Sequence, residues 1–421
     1  MRRVHIIGAG MAGLACAVRL TRAGIPVSLY EAAPQAGGRC RSFHDTRLDR
    51  TIDNGNHLLL AANHNALAYL DEIGARDRLT APPDARFPFV DLRSGQRWTV
   101  HPAHSRIPWW VFAPDRRVAD AGAWAHLRGL RLAWAGAEAT VADVLHRPGD
   151  PVWERLWTPI TESILNTEPQ AASARLMRTV MMETFAKGGR ACRPLVALSS
   201  LADTFVDPAL ALLAQAGAQV HTKQRLRRFE GEPDAVTQLH FASDSAPVAP
   251  GDQVVLATPP RVAEQLVPGL TVPRETRPIV NAHIRLPHRA RLSEGIPFLG
   301  LVGGTAQWLF LREDVASITV SAANELVDRP SEEIAQMVWT DTARALSLDE
   351  RWQPAMRVIK ERRATIAQTP DTLRARPGIQ GPVNNLLLAG DWTDTGLPAT
   401  IESAVTSGQR AAAEILRRVQ G

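Results

Sequence analysis

Three glycines near the start of the chain have the spacing of a dinucleotide-phosphate site. They form G-x-G-x-x-G directly after the apolar run Val4–Ile7 and open a predicted helix. In such a turn the first glycine permits the bend, the second lets the backbone approach a pyrophosphate, and the third lets helix and strand pack closely. The helix N-terminus adds N–H groups and the positive end of the helix dipole. We therefore expect a dinucleotide to contact Gly8, Gly10, Met11, Ala12 and Gly13.

A carboxylate and a second pair of glycines follow the next predicted strand, residues 26–30. Glu31 ends that strand, where a carboxylate can accept hydrogen bonds from both ribose hydroxyls of a dinucleotide. An acid at this position disfavours a 2′-phosphate, so the sequence favours FAD or NAD over NADP. Gly37 and Gly38 allow another close backbone approach, and Arg39 supplies a fixed cation for the diphosphate.

The spacing from this acid to the Gly-Gly-Arg triplet resembles the flavin-containing amine oxidoreductase superfamily, which includes amine oxidases, protoporphyrinogen oxidase and carotenoid desaturases. The resemblance implies that the cofactor is FAD. The run from Asp53 to His57 is similar to the D-x-G-x-H segment that lies beside the flavin ring in that superfamily. For His57, a catalytic role and a structural role in the core both stay open.

Later segments resemble further parts of the superfamily's FAD site. By resemblance, Leu226 touches the adenine through its backbone, and Thr258 lies where the chain leaves the FAD domain for the second time. Asp391 holds the ribityl and pyrophosphate side, and residues 398–400 open the last helix towards the pyrimidine edge of the flavin. The resemblance thus adds these expected FAD contacts: Gly55, Asn56, His57, Leu226, Thr258, Gly390, Asp391, Pro398, Ala399 and Thr400.

These sites require a sheet whose strands come from distant parts of the chain. Apolar runs at 4–7, 253–256 and 386–389 each predict a buried strand of that sheet, and alternating patterns between them predict a second, largely antiparallel unit with covering helices. The predicted fold class is α/β, with a discontinuous Rossmann-like FAD-binding domain and an inserted substrate domain of mixed or antiparallel sheet plus helices. The expected bounds are 1–78, 200–262 and 376–421 for the FAD-binding domain, and 79–199 and 263–375 for the substrate domain.

Two short stretches narrow the resemblance. Leu-Asn-Thr at 165–167 and Ala-Ser-Ala at 172–174, with residues 198–201 and 207–210, are similar to the hydroxysqualene dehydroxylases, squalene-associated FAD enzymes of bacterial hopanoid pathways. The resemblance covers essentially the whole chain and departs at Ser403, where that family more often has glycine. It implies that the hydroxyl of an allylic C30 alcohol leaves as water, that reduced flavin delivers hydride to the allylic cation, and that squalene forms.

Such a reaction needs an acid for the leaving hydroxyl and a cavity that excludes water. The candidate acids are Glu162, His57 and Asp53. Glu162 and Asn166 are four residues apart on a predicted helix, so we expect both to face one cavity. A structural role for either residue, as a cap or a brace of the substrate domain, stays open.

Other functions stay open as well. The first alternative is an FAD-dependent carotenoid desaturase of the phytoene type, which removes hydrogens instead of a hydroxyl. An amine oxidase is disfavoured because aromatic residues are expected to flank its flavin, and the chain has just two tyrosines, Tyr30 and Tyr69. A non-enzymatic carrier of polyprenyl lipids would need no redox turnover, and the FAD signature at both ends of the chain disfavours it.

Residues 106–136 are rich in tryptophan and arginine. Trp109 and Trp110 lie between arginines, and Trp124 and Trp134 follow on a helix-like stretch. Two interpretations stay open, a peripheral anchor at a membrane interface and a wall of the substrate cavity. Both imply a long apolar isoprenoid substrate or an apolar surface.

Composition limits the partners and the compartment. The net charge is +5 with only three lysines, and the arginines are spread without a nucleic-acid motif, so nucleic acid is disfavoured. The three cysteines lack metal-ligand spacing, which predicts no metal and a reducing compartment. No apolar run reaches the roughly 18 residues that span a bilayer, and the glycine-punctuated start does not match a secretion signal. We expect a cytoplasmic protein, either free or peripheral at the inner face of the cytoplasmic membrane, associated with squalene-pathway enzymes.

Overall fold

The computed structural model describes residues 2–232, 234–292 and 295–420. Within these ranges the strands, β1 to β20 in chain order, are Val4–Ile7, Val27–Tyr30, Ser42–Asp45, Arg50–Asp53, Leu58–Leu60, Leu79–Thr80, Phe87–Asp91, Arg97–Val100, Pro194–Ala197, Gln219–His221, Arg228–Glu232, Ala235–His240, Ser245–Pro247, Gln253–Leu256, Thr276–Arg285, Phe298–Val302, Trp308–Arg312, Val315–Val320, Met356–Ile366 and Leu386–Leu388.

The α-helices of the described ranges, α1 to α11 in chain order, are Met11–Arg22, His64–Glu72, Ala123–Leu127, Val141–Leu145, Thr158–Leu165, Ala174–Glu183, Asp207–Gln215, Pro260–Leu266, Ser331–Leu346, Pro370–Arg374 and Ile401–Gln420. A π-helical turn, Trp153–Trp157, leads into α5, and another, Ala202–Val206, leads into α7. Short 3₁₀ helices at Trp109–Phe112 and Arg128–Trp134 flank α3.

A five-stranded parallel sheet has the order β10–β2–β1–β14–β20. β1 lies in the middle, where Val4 to Ile7 pair in register with β2 on one side and β14 on the other. All residues of β1 and β2 are buried, as in a parallel sheet that is covered on both faces. Its strands come from three distant parts of the chain, which confirms the predicted discontinuous Rossmann-like sheet.

Helices α1 and α11 pack together in the core that covers this sheet. Gly408 of α11 faces the backbone of α1, and a Cβ on Gly408 would lie 2.0 Å from the Ala12 main-chain oxygen. Only glycine permits this approach. The contact places the C-terminal helix next to the glycine turn that precedes α1.

A seven-stranded sheet has the order β19–β15–β18–β17–β16–β7–β8. β16 and β7 pair parallel, and the other neighbouring strands of this sheet pair antiparallel. The predicted mixed sheet is therefore confirmed. Side chains alternate between the two faces of a strand. Ile318 and Val320 of β18 pack in a core with Trp339 of α9, whereas Ser317 and Thr319 project from the other face.

Helix α5 is shorter than the sequence predicts. It ends at Leu165, because Asn166 adopts a left-handed backbone with φ of 44° and caps the helix instead of extending it. The main-chain amide of Asn166 still donates to the main-chain oxygen of Glu162 at 2.8 Å. Glu162, through Gln307, and Asn166 reach the neighbouring residues Ser321 and Ala322, and their facing one cavity stays a prediction.

Candidate active site

The glycine turn after β1 leaves an open cradle. Gly8 has a φ of 106°, and a Cβ there would lie 2.5 Å from the Ala257 oxygen, while a Cβ on Gly13 would lie 1.9 Å from the Gly8 oxygen. Within the described part of the chain, a Cβ on Gly10 would meet nothing within 4 Å. Packing thus requires the first and third glycines, whereas the space over Gly10 can receive a phosphate group at the helix N-terminus.

Gly37 and Gly38 form the opposite wall of this cradle. Both have positive φ values, 104° and 55°, and the Gly37 amide donates to the Ala9 oxygen at 2.8 Å. A Cβ on Gly38 would lie 3.3 Å from the Gly10 Cα. The two glycine turns therefore meet backbone to backbone, an arrangement that suits a shared diphosphate.

Glu31 lies at the end of β2 beside the same turns. Its Oε2 accepts from the Ala9 amide and its Oε1 from the Ala33 amide, both at 2.8 Å. These bonds fix the carboxylate, and each oxygen keeps a lone pair for a ribose hydroxyl. Contact with a ribose stays a prediction.

Arg39 joins the two ends of the chain. Its guanidinium contacts the Asp391 carboxylate at 2.7 Å and donates to the Ala364 oxygen at 2.5 Å. The neighbouring charge of Asp391 is the main cause that raises the pKa of Arg39. Gly390 donates its amide to Ser407 Oγ at 2.8 Å. The structure thereby brings the second glycine turn and the C-terminal turn together.

A buried arginine that sequence reasoning missed holds the C-terminal turn. Arg376 donates to the main-chain oxygens of Asp391, Thr393 and Leu397, at 2.9, 2.5 and 2.7 Å. Burial lowers the pKa of Arg376 more than the charge of Asp391 raises it. Because these partners are backbone carbonyls, which every residue type has, the sequence carries no signal for this contact.

Thr258 and Leu226 lie beside the parallel sheet. The buried Oγ1 of Thr258, which follows β14, has no hydrogen-bond partner among the described residues. Leu226 is buried in one core cluster with Ile7 and Tyr30. Since a buried hydroxyl without a partner is costly, Thr258 and the open space over Gly10 fit a bound group with hydroxyls and phosphates, such as FAD.

Residues 398–400 form the turn before α11, which begins at Ile401. The Ala399 amide donates to Gln368 Oε1 at 2.8 Å. Ser403, the residue that replaces a more common glycine, is buried and hydrogen-bonded, so the helix accommodates it.

Asp53 is engaged through both carboxylate oxygens. Oδ1 accepts from Ser42 Oγ and from the Leu201 amide, and Oδ2 contacts Arg312 Nη1 at 2.8 Å. These contacts tie β4 to β3 and β17. They leave the carboxylate little capacity to approach a substrate.

His57 lies further along the same segment and is neutral at pH 7. Burial, and after it the charge of Arg39, lowers its pKa to about 4. A neutral imidazole is a weak acid for a leaving hydroxyl. Beside it, Asn56 donates to Thr319 Oγ1 at 3.0 Å, and a Cβ on Gly55 would lie 3.3 Å from the Asn281 side-chain nitrogen.

Glu162 is connected to that segment through β18. The main-chain amide of Gln307 donates to the main-chain oxygen of Thr319 at 3.3 Å, and its side-chain Nε2 donates to Glu162 Oε2 at 2.8 Å. Burial, and after it the negative charge of Glu168, raises the pKa of Glu162 to about 7. Near neutral pH this carboxyl therefore holds its proton for part of the time, unlike the imidazole of His57.

Asn166 has the structural role that the sequence left open. Its Nδ2 donates to Thr365 Oγ1 at 2.9 Å and to the Arg277 oxygen at 3.1 Å, and its Oδ1 accepts from the Ala322 amide at 2.7 Å. The side chain thus joins the end of α5 to β15, to β19 and to Ala322, two residues after β18.

The tryptophan-rich segment presents its aromatic rings at the surface. Trp109, Trp124 and Trp134 are 62%, 78% and 81% exposed, whereas Trp110 packs against His126. Mostly exposed rings do not line an enclosed cavity, so the cavity-wall interpretation is left to Trp110. Among the described residues, no helix is long and apolar enough to cross a bilayer.

The parallel sheet, the opposed glycine turns and the C-terminal turn define an FAD-dependent oxidoreductase. A family model described as flavin containing amine oxidoreductase matches residues 11–416. The chain belongs to this flavin-containing amine oxidoreductase family, and FAD is its cofactor.

Relatives resemble the chain over nearly its whole length. It is 44% identical to the hydroxysqualene dehydroxylase of Sinorhizobium fredii, over 98% of this chain and 97% of the relative. It is 40% identical to the hydroxysqualene dehydroxylase of Zymomonas mobilis, over 98% of both chains. The 15-cis-phytoene desaturase of Narcissus pseudonarcissus is 22% identical, over 98% of this chain and 79% of the relative.

Solved structures support the fold alone. The cyclohexylamine oxidase from Brevibacterium oxydans covers 100% of both chains with a TM-score of 0.68 at 16% identity.

Proposed function

We propose that the chain is a hydroxysqualene dehydroxylase, which converts hydroxysqualene into squalene and water. Relatives with that name support the proposal at 40% to 44% identity over nearly their full length. The structural observation that carries it is the half-buried Glu162 carboxyl, which accepts from Gln307 Nε2 at 2.8 Å and whose pKa is raised to about 7. A leaving hydroxyl needs an acid, whereas a desaturase that removes hydrogens has no hydroxyl to protonate.

The reaction breaks the allylic C–O bond and forms a C–H bond. Glu162 donates its proton to the hydroxyl, which leaves as water, and the delocalised allylic cation then takes up a hydride. Bound FAD, in its reduced form, supplies that hydride. Each turnover thus consumes one proton and one hydride and yields one squalene and one water.

Gln307 orients the acid. Its Oε1 accepts from the Ser321 amide at 2.7 Å, which turns its Nε2 towards Glu162 Oε2. Because Oε2 accepts this hydrogen bond, we assign the acidic proton to Oε1 of Glu162. The other candidate acids are not assigned this role, because Asp53 is held by Arg312 and Ser42 and burial keeps the imidazole of His57 neutral.

We assign FAD to the cradle between the glycine turns. Glu31, Leu226 and Thr258 take the adenosine side, and Gly390 and Asp391 take the ribityl and pyrophosphate chain. Residues 55–57 and the turn at 398–400 take the flavin side. The assignment divides the chain into an FAD-binding domain of residues 1–78, 200–262 and 376–421 and a substrate domain of residues 79–199 and 263–375.

The exposed aromatic segment serves as a peripheral contact with the inner face of the cytoplasmic membrane. Residues 106–136 contain five arginines and two aspartates, and the exposed rings of Trp109, Trp124 and Trp134 suit the interface of a bilayer. An isoprenoid substrate dissolves in that bilayer, where squalene-pathway enzymes can supply it.

Product analysis tests the proposed activity. Purified, FAD-loaded protein is reduced without oxygen and incubated with hydroxysqualene. A second sample, in which the flavin is oxidised, is incubated with phytoene. The products of both are identified by mass spectrometry. We expect squalene from hydroxysqualene and no change in phytoene. Unchanged hydroxysqualene together with desaturated phytoene would establish the carotenoid desaturase instead.

A further inference from the structure

Gln368, two residues after β19, uses all of its polar groups in the protein interior. It is 1% exposed. Its Nε2 donates to the Leu165 oxygen and its Oε1 accepts from the Ala399 amide, both at 2.8 Å. Its main-chain amide donates to Thr167 Oγ1 at 2.9 Å, and its main-chain oxygen accepts from the Ser173 amide at 2.8 Å.

These bonds join two parts of the active site. Leu165 is the last residue of α5 and lies one helical turn after Glu162. Ala399 lies in the turn that precedes α11, on the cofactor side. A single side chain therefore spans from the helix that carries the proton donor to the turn assigned to the flavin.

The two ends of the Gln368 amide are not interchangeable. One partner is a carbonyl, which needs a donor, and the other is an N–H group, which needs an acceptor. The amide can satisfy both in only one orientation. Asn166, the residue after Leu165, strengthens the same junction because its side chain donates to Thr365 Oγ1 of β19.

We propose that Gln368 is a positioning residue for the dehydroxylation, one that sets the distance between Glu162 and the cofactor-side turn at 398–400. The proposal rests on the proposed function. Proton donor and hydride donor must reach the same allylic group, and a displacement of about 1 Å can cost on the order of 100-fold in rate. The junction also gives a physical role to Leu165, Thr167 and Ser173, the residues by which the sequence most resembles the dehydroxylases.

The first test replaces Gln368 with methionine, which has a similar length and no strong hydrogen-bonding group. For Gln368→Met we expect kcat per bound FAD to fall roughly 10- to 100-fold, with KM within about threefold of wild type, since substrate binding is retained. The visible circular dichroism of the bound flavin should change as well, because the turn at 398–400 loses its tether.

Tyr69→Phe is the matched control. It also removes one buried hydrogen bond, from the Tyr69 hydroxyl to the Phe205 oxygen at 2.8 Å, but far from the junction in the chain. We expect Tyr69→Phe to lower the Tm without changing kcat per bound FAD or the flavin spectrum. An equal loss of kcat in both variants, or a wild-type kcat in Gln368→Met, would overturn the positioning role.

Gln368→Glu provides a rescue that depends on pH. A protonated carboxyl has one donor and one acceptor and restores both bonds, whereas a carboxylate places a charge against the Leu165 carbonyl. The ratio of its kcat to that of wild type should therefore rise as pH falls, while the ratio for Gln368→Met stays flat. Both variants retain the charged groups of the adjacent elements, Glu168, Arg277 and Asp371. A pH-independent ratio for Gln368→Glu would contradict the proposal, and a wild-type protein that forms no squalene would instead overturn the proposed function.

Discussion

At the scale of single residues, burial selects between the candidate acids. It raises the pKa of Glu162 to about 7 and lowers the pKa of His57 to about 4, because burial disfavours the charged form of each group and the charged forms differ. Glu162 is therefore neutral and protonated below about pH 7, while the imidazole of His57 is neutral and unprotonated. Only the first can donate an acidic proton at neutral pH.

Replacing Glu162 with glutamine removes the acid and keeps the shape of the side chain. We expect kcat to fall by about 10²- to 10⁴-fold, the usual contribution of a general acid, with unchanged FAD content. In wild type, kcat should decline as pH rises through about 7, where Glu162 loses its proton. Steady-state kinetics between pH 5 and 9 check both points, and a Glu162→Gln variant with wild-type kcat would contradict them.

Glu168→Gln is the companion variant for the pH profile. The negative charge of Glu168 raises the pKa of Glu162, and its removal also leaves Arg277, its partner at 3.2 Å, without that counter-charge. We therefore expect the decline in kcat to move to lower pH while the plateau at acid pH is preserved. A profile that moves to higher pH would show that Glu162 is not the titrating acid.

At the scale of elements, the sequence predicts the parallel sheet and the glycine turns well, because continuous apolar runs and glycine spacing are local signals. It fails at the end of α5, which is set by the bonds of Asn166 to distant strands. It also misses Arg376 and the role of Gln368, since many of their partners are backbone groups. The raised pKa of Glu162 also cannot be predicted from the sequence, because burial is a property of the folded chain.

The glycine turn after β1 offers a test that separates packing from cofactor binding. Gly10→Ala adds a methyl group in open space at a φ of −77°, so we expect a folded protein whose affinity for FAD falls at least about tenfold, or roughly 1.4 kcal/mol. Fluorescence titration of the apoprotein with FAD measures this change.

Gly13→Ala is the contrasting variant, because its Cβ would lie 1.9 Å from the Gly8 oxygen. It should lower the Tm of the apoprotein, whereas Gly10→Ala should not. A Gly10→Ala variant that binds FAD with wild-type affinity would show that FAD does not bind in this cradle.

At the scale of the whole molecule, the two ends of the chain meet at the cradle to which we assign FAD, and the tryptophan-rich segment presents exposed rings at the surface. Arg39 and Asp391 join the ends through an ion pair at 2.7 Å. Trp124 and Trp134 are the most exposed of the large apolar side chains described. The proposed membrane contact therefore involves side chains other than those of the proposed cofactor site.

Removing both exposed rings should weaken that contact. We expect the double variant Trp124→Ser/Trp134→Ser to bind vesicles with phosphatidylglycerol at least about tenfold more weakly, with unchanged turnover of detergent-dispersed hydroxysqualene. Co-sedimentation measures binding. Leu198→Ser, which removes a side chain that is 53% exposed outside the segment, is the control and should bind as wild type does. Equal binding by all three proteins would rule out the membrane contact.

The stoichiometry of a single turnover tests the proposed dehydroxylation most directly. Reduced, FAD-loaded protein is mixed with hydroxysqualene without oxygen, and flavin reoxidation is followed by absorbance while squalene is quantified by mass spectrometry. We expect one squalene for each flavin reoxidised, formed much more slowly in Glu162→Gln. Flavin that stays reduced in the wild-type protein while hydroxysqualene is recovered intact would contradict it.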